Sequence, residues 1–298
     1  MGAQSLEFDM PFPGRVNPEI DYAIPRHLEW LDRFRLLPDY GSLEQYLDWG
    51  FPDLGSRWFP AAAGEDLDLA LDAYAWMVVL DGQWDTHTGQ DPVAVQSAVD
   101  SLYRVISGSL QQGADVGEYS AAGLALRDIW LRLCEGMPPS WCADMAKDWR
   151  SFFDSVVQEA VNRSNKAIPT EREYRANRDT TGYMRLLLRL SERMRHYAIP
   201  SRVGQDNAFQ ALTEPYVWAH NILQDLFSFE REAVQGDMHN IVFVLEHHRG
   251  MTRPLAVETA VGLLRDQFAA FTHAEPAHLT AWALLSPTVH RSTSSSTT

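Results

Sequence analysis

Basic residues are scarce relative to acidic ones in this 298-residue chain: 25 Lys and Arg stand against 40 Asp and Glu, a formal charge of −15. So acidic a surface repels phosphate polymers and anionic headgroups, which excludes nucleic acid and membrane as expected partners. Only two cysteines occur, Cys134 and Cys142. Their spacing is not that of a metal pair, and a fold resting on disulfides is excluded. No run of about 18 apolar residues is present, which excludes a helical membrane span. The chain opens without a basic-then-apolar leader or a lipid-attachment pattern. Gly-rich phosphate loops and G-x-S-x-G are missing too, and His87, His247 and His248 lack zinc-helix spacing, so they read as surface or loop residues. These absences describe a soluble, cytoplasmic protein whose anionic ligands, if any, need a bound metal or a local arginine cluster.

What is present is a helical pattern rich in aromatics. Hydrophobic residues make up 45%, with ten Trp and thirteen Phe, enough for a full core. Residues 1–25 are Pro-rich and read as an irregular strap. Trp30, Leu31, Phe34 and Leu37 form one stripe of a helix over 27–37, and a second short helix is expected at 41–48. Pro52, Gly55 and Pro60 punctuate an expected loop. Leu67, Ala70, Leu71, Tyr74, Met77 and Val78 define a helix face over 65–80. Further helices are expected at 91–110, 119–136, 140–162, 171–179, 183–196, 206–234, 239–248 and 254–271. Residues 78–80 and 241–245, the strand-like runs, are short and lie inside helical patterns. The expectation is an all-α fold, one helical domain over 26–285, with a disordered tail at 286–298.

Three segments carry possible chemistry. In NILQDLFSFEREAVQGDMHN, residues 221–240, Gln224, Ser228 and Glu232 are spaced four and four. Each step turns the helix face by about 40° and rises about 6 Å, giving a ladder of carbonyl, hydroxyl and carboxylate oxygens that suits a hard divalent cation. Arg231 stands beside it, near enough for a phosphate. Leu223, Leu226, Phe227 and Phe229 mark a mostly buried helix; a solvated polar face is the alternative. The second segment, MVVLDGQWDTHTG, places Asp81 and Asp85 at the end of an apolar helix, where an ordinary Asp-Gly turn is the competing explanation. In the third, Arg178 precedes Gly182, a helix breaker that leaves backbone groups unpaired. Arg178 and the unwound turn make a phosphate clamp, or else a solvated helix end with charge pairs.

Together these residues resemble the bacterial class I terpene synthases over about residues 10–250. The likeness rests on FPGRVNPEIDYA near the start, EDLDLALDAYAWMVVLDGQWD around Asp81, EAVNR at 159–163, and QDLFSFERE followed by GDMHNIV. Arg178 also lies 46 residues before Gln224, the family's spacing between its diphosphate-sensing arginine and its NDxxSxxxE motif. The resemblance implies the α-helical isoprenoid synthase bundle. It implies three Mg²⁺ ions held by Asp81, with Asp85, and by Gln224, Ser228 and Glu232, and a diphosphate gripped by Arg178 and Arg231. Thr181 and Gly182 would form the turn that responds to the sensor, and Tyr74, Met77, Phe153, Trp218 and Asn221 are candidate cavity walls. The partner implied is an isoprenoid diphosphate; a homodimer and an upstream prenyltransferase or class II cyclase are further partners it allows.

The chain departs from the family pattern at four points. Gly82 replaces the second Asp of the aspartate-rich motif, Gln224 replaces Asn, and Thr181 stands where Asp is common. No counterpart of the C-terminal Arg-Tyr pair occurs, which implies a missing diphosphate contact. The expected reaction is Mg²⁺-dependent ionisation and cyclisation of farnesyl diphosphate. The alternatives are geranylgeranyl or labdadienyl diphosphate as substrate, a non-catalytic diphosphate-binding relative, and, last, a chain-elongating prenyltransferase.

Overall fold

The computed structural model describes residues 14–37, 40–84, 89, 91–108 and 120–285, with side chains omitted at 40, 41 and 275–285. Asp85, His87, the first thirteen residues and the expected tail at 286–298 lie outside the described residues. Thirteen helices follow one another among those described: α1 (Ile20–Arg33), α2 (Tyr40–Asp48), α3 (Phe51–Trp58), α4 (Glu65–Trp84), α5 (Pro92–Gly108), α6 (Ala121–Cys134), α7 (Pro139–Asn165), α8 (Glu171–Thr181), α9 (Met184–Met194), α10 (Ser201–Gly204), α11 (Asn207–Gln235), α12 (Ile241–Arg249) and α13 (Arg253–Leu285). No strand occurs among the described residues, so the fold is all-α, and no helix is long and apolar enough to cross a membrane.

α4 is the axis of the larger core. Its sequence suggested one apolar face, but Leu67, Leu69, Ala70, Leu71, Ala73, Ala75, Trp76 and Met77 are all buried. They cover its whole circumference because α1 and α3 pack on it as well as α6 and α9, and a helix apolar all round belongs inside. Trp76 meets Trp149 of α7 edge-on with ring centroids 5.3 Å apart, and Phe152 and Phe153 close around Trp149. A second buried cluster joins Tyr174 of α8 to α11, α12 and α13 through Trp218, Leu226, Phe229, Val242 and Leu264.

Two segments differ from the sequence expectation. Residues 20–25, read as irregular, are helical despite Pro25. Asn17 anchors their start by donating to the carbonyls of Phe59 and Ala62 at 2.8 and 2.7 Å, and burial of Ala23, His27 and Trp30 fixes the rest. The expected loop around Pro52 is α3. Pro52 sits in its first turn, where the missing N–H costs nothing. Gly55 lets α3 approach α4 closely: a Cβ there would lie 3.0 Å from Leu71 and 3.1 Å from Tyr74. α13 also runs past the expected end at 271, to Leu285.

Trp149 of α7 is fully buried against Trp76 of α4. Trp149→Ala is expected to cost about 3–5 kcal/mol, read as a lower urea midpoint.

Candidate active site

The sequence places its chemistry at helix ends, and the fold brings several of them together. α8 starts with a capping box: Thr170 accepts from the Glu173 amide, and the Glu173 carboxylate accepts from the Thr170 amide. This fixes the short helix that carries Arg178 in its last turn. α11 ends at Gly236, which takes a left-handed φ of +77°, the geometry that suits glycine. The chain then turns back so that Asn240 caps α12. Gln224, Ser228 and Glu232 all lie on α11. Phe227 on the same helix is 54% exposed, contrary to its expected burial, because it points away from the second cluster.

Asp225, adjacent to the expected ladder, is the centre of the site. It is fully buried and accepts from the Tyr174 hydroxyl, from the Ile241 amide at 2.7 Å and from the Arg178 guanidinium at 2.7 Å. The same guanidinium nitrogen donates to Gln224 Oε1 at 2.9 Å. Burial opposes the charge of Arg178 most strongly, but Asp225, Tyr174, Glu232 and Glu159 together outweigh it and raise the guanidinium pKa. Asn240 donates to the Asp225 carbonyl at 2.9 Å and to Glu232 at 2.8 Å. Burial first, and then the charge of Asp225, pushes Glu232 up to about 7. Burial likewise raises Asp81, half-buried in the last turn of α4. A hydrogen bond from Tyr183 and the charges of Arg178 and Arg231 pull it back. Arg231 itself is exposed.

The break after α8 is held from α11. Asn221 donates to the Arg178 carbonyl at 2.9 Å, and the Gly182 amide donates to that carbonyl at 3.1 Å. The carbonyl expected to be left unpaired is therefore satisfied. Gly182 has no room for a side chain, because a Cβ would fall 1.9 Å from Asn221 Oδ1. Tyr183 follows at a left-handed φ of +63°. Three buried polar atoms around the break have no partner: Arg178 Nε, Thr181 Oγ1 and Asn221 Oδ1. Buried donors and acceptors in that state mark a place where a polar ligand is received. An orphaned guanidinium N–H fits a phosphate oxygen.

The residues singled out for the cavity wall are all buried. Tyr74 and Met77 lie on α4 and Phe153 packs on Trp149. Trp218 stacks on Tyr174 with centroids 6.0 Å apart, under the Arg175 guanidinium. Asn221 is fully buried and serves the break. Sequence reasoning missed Tyr174, Tyr183 and Asn240 and gave Asp225 no role. It also missed a polar cluster of Glu159, Arg163, Asp237 and His239. Arg163 donates to Asp237 at 2.9 Å and to the Gly89 carbonyl at 3.3 Å, which ties the segment after α4 to the turn after α11. The local signals were the EAVNR and GDMHNIV segments themselves.

The donor set fits a hard cation: the oxygens of Gln224, Ser228, Glu232 and Asp81 are amide, hydroxyl and carboxylate. Among the described residues no three His, Cys, Asp or Glu side chains converge as a metal cluster, so the set depends on Gln224 and Ser228. The cleft of about 940 Å³ bordered by Arg185, Arg189, Phe209 and Tyr216 contains none of these oxygens and is a separate feature.

Two outcomes are expected. Gly182→Ala should lower the melting temperature by several degrees, and Asn221→Ala in that background should restore part of the loss. An acid whose folded pKa is raised stabilises the fold fully below its unfolded value, about 4.5 for Glu232, and loses that contribution as pH rises through about 7. In EDTA, wild-type urea midpoints should therefore fall across that window more than those of Glu232→Gln.

Comparison with known proteins places this geometry. The family described as terpene synthase family 2, C-terminal metal binding, matches residues 72–270. Pentalenene synthase of Streptomyces avermitilis is 33% identical over 251 residues, covering 84% of this chain and 73% of that protein. The (−)-β-caryophyllene synthase of Saccharothrix espanaensis, named as farnesyl diphosphate cyclizing, is 29% identical over 270 residues, covering 90% and 75%. The crystal structure of linalool/nerolidol synthase from Streptomyces clavuligerus superposes with a TM-score of 0.84 at 25% identity, covering 94% of this chain and 91% of that one; it is also known in complex with 2-fluorogeranyl diphosphate. The chain belongs to terpene synthase family 2 and is a class I terpene synthase, an enzyme of the lyase class.

Proposed function

We propose that this enzyme ionises an isoprenoid diphosphate with Mg²⁺, farnesyl diphosphate being favoured, and cyclises the resulting allylic cation to a terpene with release of diphosphate. The observation that carries the reading is the convergence of Arg178, with one N–H unpaired, on Gln224 of the α11 ladder. The farnesyl-cyclising relative supports the chain length. Asp81, Asp85, Gln224, Ser228 and Glu232 are the proposed ligands, and three ions are expected. When bound, Mg²⁺ supplies Lewis-acid stabilisation of the departing diphosphate.

The protein side of the reaction follows from the packing. Separating Arg178 from Asp225 leaves a buried charge uncompensated, at a cost of about 3–5 kcal/mol. Only a ligand that brings comparable negative charge and acceptors can draw Arg178 away, which favours diphosphate over neutral molecules. Arg231, exposed near Asp81, meets the same anion from the solvent side. Asn240 holds Glu232 and so orients it. Tyr74, Met77, Phe153 and Trp218 offer apolar and aromatic surface, and aromatic faces stabilise a cation without a lone pair to trap it.

A second reading, a binder without turnover, is motivated by Gly82, Gln224 and Thr181. One incubation series with Mg²⁺ and the C10, C15, C20 and labdadienyl diphosphates, analysed by gas chromatography–mass spectrometry, separates the two. A cyclic product from the C15 substrate is expected; no turnover from any substrate by the folded protein favours the binder. Arg178→Ala and Glu232→Gln should each abolish product in a chain that still folds, Arg178→Ala with a lowered melting temperature because Asp225 loses its guanidinium partner, and unchanged turnover in either would remove these residues from the site. Gln224→Asn should raise turnover if Gln is a weakened ligand and lower it if the site is adapted to the longer side chain.

A further inference from the structure

The end of α7 carries a largely buried polar hub that takes no direct part in the proposed reaction. Arg163 lies at its centre, with a side chain 10% exposed. Its guanidinium donates to the Gly89 carbonyl at 3.3 Å on one side and to the Asp237 carboxylate at 2.9 Å on the other. Glu159, one helical turn earlier, accepts from Asn177 at 3.0 Å, the residue before Arg178. Asn162 hydrogen-bonds the ring of His239 at 2.8 Å. One helix end therefore touches three segments that flank the site: the one after α4, the last turns of α8 and the turn after α11.

We propose that Arg163 is a positioning residue for the cation site: it clasps the segment behind Asp81 to the turn behind Glu232 and so sets the gap that a cation must bridge. This inference rests on the cation-binding reading of Asp81 and Glu232 given above. On the α4 side, Gly89 packs so tightly on the helix end that a Cβ there would collide with the Trp84 carbonyl. Trp84 closes the turn in which Asp81 stands. On the α11 side, the Asp237 carboxylate also accepts from the His239 amide at 2.9 Å. That bond fixes the turn leading to Asn240, which donates to Glu232 at 2.8 Å.

The chemistry favours arginine for this task. A guanidinium presents its donors in a rigid planar fork, so two acceptors on different segments are held at a set separation and angle, whereas a lysine ammonium imposes no such geometry. Fold stability alone does not call for the hub, because well-packed apolar side chains often replace a buried ion pair without loss. The placement of oxygens around a hard cation is more exacting: Mg²⁺ demands near-ideal octahedral geometry at about 2.1 Å. A small shift of either helix end would therefore part the ligands on α4 from those on α11.

The test measures cation binding directly, without turnover. Mn²⁺ is titrated in the presence of inorganic diphosphate, by calorimetry or electron paramagnetic resonance, for wild type, Arg163→Gln, Arg163→Lys, Asp81→Asn and the double variant Asp81→Asn with Arg163→Gln. Melting curves check the fold of each. Arg163→Gln is expected to weaken binding about tenfold, as losses behind a metal's direct ligands typically do. Its effect should shrink once Asp81→Asn has removed the α4 ligand that the clasp positions. Binding by Arg163→Gln equal to or tighter than wild type overturns the inference. So does an equal loss in both backgrounds, because Arg163 would then act on the fold at large rather than on the gap. If Arg163→Gln does not fold, Arg163→Lys decides: a smaller loss in the same direction is expected, and binding equal to wild type overturns the inference. If wild type binds no Mn²⁺ with diphosphate, the underlying reading falls along with this one. If wild type binds and the Arg163 variants match it, only this inference fails.

Discussion

The buried carboxylate of Asp225 is the contact on which the rest of the site depends. It lies inside a cluster of apolar side chains and is tolerable there only because a phenol, a backbone amide and a guanidinium all donate to it. Each donor comes from a different piece of chain: Tyr174 and Arg178 from α8, Ile241 from the start of α12. One charge thus fixes the angle of α8 on α11 and the path of the turn after α11. Arg178 is held by the same bond, and it is the group expected to leave when an anion arrives.

This arrangement makes the site a balance between two anions. With Asp225 as partner, Arg178 also takes the carbonyl oxygen of Gln224, and Asn240 takes an oxygen of Glu232. Two of the oxygens suited to a cation are therefore already hydrogen-bonded within the protein. A raised carboxyl at Glu232 is the electrostatic counterpart of the same fact: it is buried close to Asp225 with too little positive charge beside it. On the proposed reading, a diphosphate with its cations would supply what this cluster lacks, while Asp225 would keep the donors of Tyr174 and Ile241.

Much of the architecture was legible because helical periodicity is a local property. The helices over residues 65–80 and 206–234 and the all-α class all appear in the chain itself. The misreadings came where distant contacts overrule local signals. Residues 20–25 are helical because Asn17 is anchored on Phe59 and Ala62, and α3 forms where Pro and Gly suggested a loop because Gly55 seats it on α4. The ladder of Gln224, Ser228 and Glu232 was visible for the same reason, being a four-residue repeat on one helix, whereas the Arg178 spacing was legible only through the resemblance to the family.

What the sequence by itself determined is which residue types are available: oxygen donors four apart, an arginine ahead of a glycine, an aspartate ending an apolar helix. Helix geometry alone orders the three oxygen donors along one face. Which of them meet was decided only by tertiary structure. Asp225, Tyr174 and Asn240 are separated by tens of residues or hidden beside a more obvious motif, and no spacing announces their hydrogen bonds. The requirement for glycine at 182 is likewise set by Asn221 on another helix, not by the turn in which it stands. Partnership of buried polar groups is a property of three-dimensional proximity at low dielectric, and a one-dimensional pattern carries no record of it.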